Sequence, residues 1–301
     1  MRVFHFIENY FWVFLLAGIA LGLSYPVYND FFMSLLKPLL MLMLLLVFLK
    51  TNLVQIITQI RDYRLMLYLL CFYMFIIPLV LFAGINFINR EFAIGILLLT
   101  AMPAAVSSPT LTDIVRGNIA LSVSIAIITS LVAPFTVPVI FMLVKYEGLS
   151  INSLEMFTDL AVLVFVPLVL SIIIRKFVPG LVEKGKNKFT SVNIFIIFIM
   201  VYAAMGSQRE LILTDTLNVF WKVGYMYLVY LVLHIIGYFI GKRLDKPGQI
   251  AVTISTVYKN NGMAIVLAAI HFEPAILVLM ILSEFPWNTL LAPYRKVLKY
   301  L

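Results

Sequence analysis

Apolar positions in this chain come in long runs rather than in alternation. The runs fall near 10–25, 29–49, 64–85, 92–117, 119–144, 155–175, 189–206, 216–241, 247–271 and 274–294. About 20 apolar residues are needed to cross hydrocarbon as a helix. The pattern therefore predicts an all-α polytopic membrane protein with about ten transmembrane helices. Two of the runs are interrupted. The fourth reads "LLLTAMPAAVSSPTLTDIVRG", where Pro103 and Pro109 flank Ser107 and Ser108. The ninth holds "TVYKNNGMAIVLAAI", broken at Lys259, Asn260, Asn261 and Gly262. A proline inside a helix removes a hydrogen bond and clashes with the preceding turn. A lysine at the driest depth of the bilayer is costly enough to need a partner or a task.

No soluble domain or low-complexity linker separates the runs. They divide into two halves of five, residues 1–150 and 151–301, with breaks near 103–110 and 258–262. An odd number of spans per half makes such a repeat inverted. Pro109 and Asn261 stand 152 positions apart, so the two breaks occupy corresponding places. A single kinked span would be ordinary packing. Two kinks in register, both rich in Ser, Thr or Asn, point to the binding site of a secondary transporter. A helix that restarts leaves free N–H groups that favour an anion, and one that stops leaves carbonyls that suit a cation. Crossed broken helices thus predict one site for an anionic solute and a coupling ion. Ser107, Ser108, Thr110, Asn260 and Asn261 are expected to line it.

Composition supports the membrane reading: 63% of residues are hydrophobic and 12% charged, against about 45–50% apolar in a soluble domain. The net charge of +8 suggests an anionic partner until its distribution is read. With the N-terminus in the cytoplasm, 16 of the 22 Lys and Arg residues collect on the cytoplasmic connections. They include Arg2, Lys50, Arg61 and the cluster from Arg175 to Lys188. Only Arg90, Lys145, Arg209 and Lys222 fall on the other side, and Lys37 and Lys259 fall within spans. This is the positive-inside asymmetry. It predicts cytoplasmic termini in an inner membrane of bacterial type, with the first apolar run retained as a helix. The expected partners are membrane lipid and a small organic anion, with no nucleic acid and no obligate protein partner. The single cysteine, Cys71, excludes an intrachain disulfide and Cys-cluster metal sites. No metalloprotease, nucleophile-elbow or paired-aspartate signature appears, so neither an enzyme nor a cofactor is expected. A passive channel is the remaining rival.

"MPAAVSSPTLTDIVRGNIALSVSIAIITSLVAP" resembles the fourth and fifth helices of the bile acid/sodium symporter (BASS, SBF-like) family. The matching residues are Pro103, Ala104, Ala105, Val106, Ser108 and Pro109, then Arg116, Gly117, Asn118, Ala120, Leu121 and Ser122. "SIIIRKFVP" and "YKNNGMA" are similar to further segments of that family. The resemblance implies panel and core domains, two crossed broken helices, and sodium-driven uptake of bile acids or smaller carboxylates. It also implies sodium ligands that are mostly missing here. Ser255 stands in the place of a Glu, Lys259 of a Gln, Pro109 of an Asn and Ala126 of a hydroxyl, leaving Ser108 and Ser122 as a residual sodium site. Hard cations want several oxygen ligands, preferably with a carboxylate. The site has lost its carboxylate and gained an ammonium.

These departures suggest that Lys259 takes the place of a bound cation, donating to the carbonyls and hydroxyls that would have held sodium. Sodium and protons both remain open as the coupling ion. Ser255, Asp113 and Glu284 join Lys259 as candidate coupling residues: Asp113 either faces Lys259 across the crossing or is solvated near the end of its span, and Glu284 is expected to pair with Lys259 or relay protons. Asn288 resembles a substrate-contacting asparagine of the family's last helix. Lys37 is expected to snorkel or line a crevice, and His234 and His271 to be packing residues.

Overall fold

Each apolar run is helical in the computed structural model, which describes residues 11–50, 62–144, 152–186 and 188–300. The elements begin with α1 (Phe11–Ser24), α2 (Asn29–Ser34), α3 (Leu36–Lys50) and α4 (Tyr63–Cys71). A π-helical turn (Phe72–Ile76) leads into α5 (Ile77–Asn86), then α6 (Arg90–Ala101), α7 (Ser108–Ile114) and α8 (Ile119–Val144). The second half contains α9 (Ser153–Phe177), α10 (Pro179–Gly185), α11 (Phe189–Ser207), α12 (Arg209–Thr214) and α13 (Thr216–Gly241). It ends with α14 (Lys246–Val257), α15 (Asn261–His271), α16 (Pro274–Leu282), α17 (Glu284–Thr289) and α18 (Leu291–Val297).

Among the described residues, five continuous helical stretches are long and apolar enough to cross a membrane: 63–86, 119–144, 153–177, 189–207 and 216–241. A sixth runs from Pro274 to Val297 and bends by 41°. This is an integral membrane protein. The other predicted spans are shorter or divided. The run at 29–49 is split at Leu35, the fourth at 102–107 and the ninth at 258–260. Arg2, Arg61 and Lys145, which entered the charge count, lie outside the described residues.

The helices pack in two groups. One consists of α1–α3 with α9 and α11; the other holds α4–α8 and α13–α17. They meet where α8 lies on α9 and where α15 lies against α3 and α11. In lipid, association depends on close packing, and small residues permit it. Gly18 and Gly22 place the backbone of α1 directly on α11. A Cβ at Gly22 would stand 2.6 Å from the Tyr202 carbonyl oxygen. Within the first group Lys37 on α3 donates to Asp159 on α9 at 2.5 Å, and from the second group His271 Nε2 on α15 approaches the other Asp159 oxygen to 2.9 Å. Lys37 is therefore paired rather than snorkelling, and His271 is more than packing.

The Arg116-Gly117-Asn118 turn is explained by structure alone. Arg116 has φ 61, the left-handed conformation that closes α7. The Gly117 N–H then donates to the Thr112 carbonyl at 2.8 Å, and a Cβ there would stand 2.7 Å from Ile250 Cγ2. The Asn118 side chain caps α8 by accepting from the Leu121 N–H at 3.0 Å. The motif locks the second half of the fourth span against α14.

Candidate functional site at the crossing of the broken spans

The two breaks meet as a short antiparallel backbone pair, Ala104 opposite Lys259. The Ala105 N–H donates to the Tyr258 carbonyl at 2.7 Å, and the Asn260 N–H to the Pro103 carbonyl at 2.9 Å. The Ala104 N–H donates to Thr129 Oγ1 at 3.1 Å, and the Trp287 indole N–H to the Lys259 carbonyl at 3.1 Å. Unpaired backbone groups are expensive in hydrocarbon, so unwound chain persists only where protein or water satisfies it. Here each break is the other's partner. The unwound carbonyls of Pro103, Tyr258 and Lys259 each accept one of these N–H donors. Pro109 lies at the start of α7, where its missing N–H costs nothing, and Pro103 lies in the break itself.

Lys259 is 1% exposed. Its Nζ lies 5.2 Å from the centre of the Tyr73 ring and 3.5 Å from the Tyr73 carbonyl oxygen, the long end of hydrogen bonding. That carbonyl is free for a definite reason. Across the π turn Ile77 donates to Phe72, five residues back, so the next donor in the ladder would be residue 78 to Tyr73. Residue 78 is proline and has no N–H. The π turn and Pro78 together leave one main-chain acceptor aimed at the ammonium, a use in keeping with the frequent placement of π turns at functional sites.

This relation is testable by stability measurements. Pro78→Ala restores an N–H that can occupy the Tyr73 carbonyl. In Lys259→Met, where that acceptor has lost its ammonium, the gain from Pro78→Ala should exceed the gain in wild type by about 1 kcal/mol. Equal shifts in melting temperature in the two backgrounds would show that the groups do not share the carbonyl.

The remaining candidate residues fall into two clusters and an exposed edge. Ser108, Ser122 and Ser255 are fully buried and come together with Thr112; Ser108 and Ser122 are the pair expected as a residual sodium site. Thr112 Oγ1 donates to Ser122 Oγ at 3.1 Å, and Ser122 Oγ stands 3.3 Å from Ser108 Oγ and 3.4 Å from Ser255 Oγ. The cluster offers hydroxyls and no carboxylate. Ser107 and Thr110 are exposed on the opposite side of α7. Asp113 is exposed there too and makes no ion pair with Lys259, the solvated one of its two expected placements. Ser108 and Thr112 are four residues apart and share the inward face, which turns Asp113 outward.

The second cluster lies behind the crossing, on α13, α15 and α17. Asn261 is 4% exposed; its Nδ2 donates to Ser283 Oγ at 3.0 Å and its Oδ1 accepts from the Tyr230 hydroxyl at 3.4 Å. Glu284 is 7% exposed and accepts from Asn288 Nδ2 at 2.9 Å. Asn288 also donates to the Glu284 carbonyl at 2.7 Å, so both it and Asn261 are engaged within the protein. Glu284 does not pair with Lys259. His234 Nδ1 lies 2.8 Å from the Tyr230 carbonyl oxygen, with its ring beside Tyr294. Asn260, by contrast, uses its Oδ1 to cap α15 at the Met263 N–H and keeps Nδ2 buried without a partner.

Sequence reasoning missed Tyr73, Pro78, Thr112, Thr129, Tyr230, Ser283 and Trp287. Only Pro78, a proline in the middle of the third span, gave a visible signal.

A sequence model of the SBF-like CPA transporter family matches residues 9–284. Among curated relatives, the "Uncharacterized sodium-dependent transporter YocS" of Bacillus subtilis (strain 168) is 31% identical over 66% of this chain and 62% of its own. The "Probable sodium/metabolite cotransporter BASS1, chloroplastic" of Oryza sativa subsp. japonica is 23% identical over 60% of this chain and 44% of its own. The "Putative symporter YfeH" of Escherichia coli (strain K12) is 26% identical over 94% and 89%. The chain thus spans less than two-thirds of the length of the first two relatives and most of the third.

Proposed function

This chain belongs to the SBF-like CPA transporter family, and on that premise we propose that it is a secondary active transporter carrying a small organic anion by alternating access. The family is one of transporters rather than enzymes. In this reading the ten spans form two inverted five-helix repeats, residues 1–150 and 151–301. The group of α1–α3, α9 and α11 acts as a panel against which the other group moves. The corresponding breaks in the fourth and ninth spans support that division.

One observation carries the choice of an anion. Lys259 is buried at the break, and its ammonium meets a carbonyl and a ring face but no acid among the described residues. A buried charge left without a counter-charge is strongly unfavourable. The next residue, Asn260, holds a buried amide N–H₂ with no acceptor. Surplus donors and missing negative charge describe a receptor for a carboxylate or a bile-acid-like anion. Lys259 here acts as a fixed internal cation in the place of sodium.

A second reading, a sodium-coupled symporter retaining one site, is favoured by the Ser108, Thr112, Ser122 and Ser255 hydroxyls. Some relatives carry sodium in their names.

Thermal-shift measurements on the purified protein distinguish an anion receptor from a general apolar pocket. A carboxylate should stabilise it and the isosteric amide should not. Asn260→Ala should weaken carboxylate binding by about 1–3 kcal/mol, the cost of leaving a buried partner unsatisfied. Equal stabilisation by acid and amide would remove the basis for the anion.

A further inference from the structure

Lys259 and Glu284 are the buried charged side chains among the described residues. If Lys259 is a fixed cation, as the proposed function holds, it cannot be the ion that travels. We propose that Glu284 binds a proton during the cycle and couples it to the crossing through α17.

The carboxyl group is enclosed, and no ion pair reaches it among the described residues. The carboxylate accepts from a neutral amide, Asn288 Nδ2. An enclosed carboxylate with amide donors alone must take up a positive charge to become neutral. The surroundings favour a proton over a metal ion. Asn288 presents its N–H₂ rather than its oxygen, and Ser283 Oγ already accepts from Asn261 and donates to the Met280 carbonyl at 2.6 Å. A sodium ion would want several free oxygens.

The titratable side chains on the elements packed around α17 are Lys222, Tyr225, Tyr227, Tyr230, His234 and Tyr238 on α13, Tyr258 and Lys259 at the break, and Tyr294, Arg295 and Lys296 on α18. None carries a carboxyl group, so Glu284 is the carboxylate of this cluster, and His234 is the other neutral base there able to take up a proton.

The same short helix and the residue before it hold the ninth span within its break and just beyond it. Ser283, beside Glu284, accepts from Asn261 at the start of α15, and Trp287 donates to the Lys259 carbonyl. Protonation changes the carboxylate from an acceptor on both oxygens to a group that also donates. That alters the hydrogen bonding of α17, which holds the break. The step is a reversible uptake, carboxylate plus proton giving carboxylic acid, with water on either side of the membrane as source and sink.

The full chain in lipid vesicles, without solute and in sodium-free choline buffer, is titrated with pH. The infrared carbonyl band of protonated carboxylic acids is followed. A band lost as pH rises, missing in Glu284→Gln and displaced in Glu284→Asp, is the expected result. A titrating band unchanged in Glu284→Gln overturns the proposal. So does loss of the band on adding sodium at constant pH, which would make this a sodium site. If Glu284→Gln fails to fold, an undisplaced band in Glu284→Asp is equally contrary. In vesicles with an imposed proton gradient, accumulation of taurocholate or pyruvate should fall to background in Glu284→Gln. A band assigned to Glu284 with no accumulation of either probe by wild type would retain the proton site and remove the transport reading. Gradient-driven accumulation untouched by Glu284→Gln would do the reverse.

Discussion

Lys259→Met abolishes accumulation of organic anions while leaving a folded protein in the membrane. Methionine keeps much of the apolar stem, so the packing around the break survives. The ammonium goes, and with it the positive charge opposite which the solute's carboxylate is placed. The Tyr73 carbonyl then loses its ammonium, about 1–3 kcal/mol, a cost opposed by the relief of an uncompensated buried charge. Loss of transport should be far larger than any change in stability, because binding of the anion depends on the charge itself. Uptake assays with reconstituted Lys259→Met, beside melting temperatures of the same preparations, test both parts. Normal uptake by this variant would make Lys259 a structural residue with no part in solute recognition. Lys259→Arg is informative beside it: the charge is retained, but a planar guanidinium does not replace a compact ammonium on one carbonyl and a ring face.

Sodium dependence should appear only when two residues are changed together. In wild type, replacing sodium by potassium should leave anion binding essentially unchanged, since the hydroxyl cluster of Ser108, Thr112, Ser122 and Ser255 has no carboxylate. Lys259→Gln alone removes the fixed cation without supplying a negative ligand, so it should lose transport and gain no response to sodium. Ser255→Glu alone places a carboxylate in the cluster while Lys259 still provides a competing charge at the break. The double variant has oxygen ligands, a carboxylate and no internal ammonium, which is the set that a hard monovalent cation wants. Saturable stimulation by sodium, with tenfold or greater effect on the order of that expected for about 1.4 kcal/mol of coupling, is the predicted outcome. A strong, saturable sodium response in wild type would instead favour the second reading, with hydroxyls alone sufficient.

Much of this molecule is legible along one dimension because the bilayer imposes a one-dimensional rule. Hydrocarbon demands long apolar helices and penalises every unpaired backbone group, so spans and their interruptions show in the order of residues. The ten runs, the breaks near Pro103 and Lys259, and the anomaly of a lysine at depth all followed from that rule. So did the gathering of Ser108, Ser122 and Ser255, though there the resemblance to a known family supplied the pairing across halves.

The direction of each side chain was decided elsewhere. A broken helix can restart with any phase, and the phase is set by where its first turn is capped and packed. Restarting at Ser108 turned Ser108 and Thr112 inward and Asp113 outward. Restarting at Asn261, with Asn260 as cap, sent the Asn261 amide back towards Tyr230 and Ser283. The partner of Lys259 was the least accessible to sequence reasoning. It is a backbone carbonyl 186 positions away, carrying no residue-specific signature and freed only because a π turn shifts the hydrogen-bond ladder so that its donor falls on Pro78. The charge at the break was written in the sequence. What meets that charge depends on which chain atoms the fold leaves unpaired, and only the packed helices decide that.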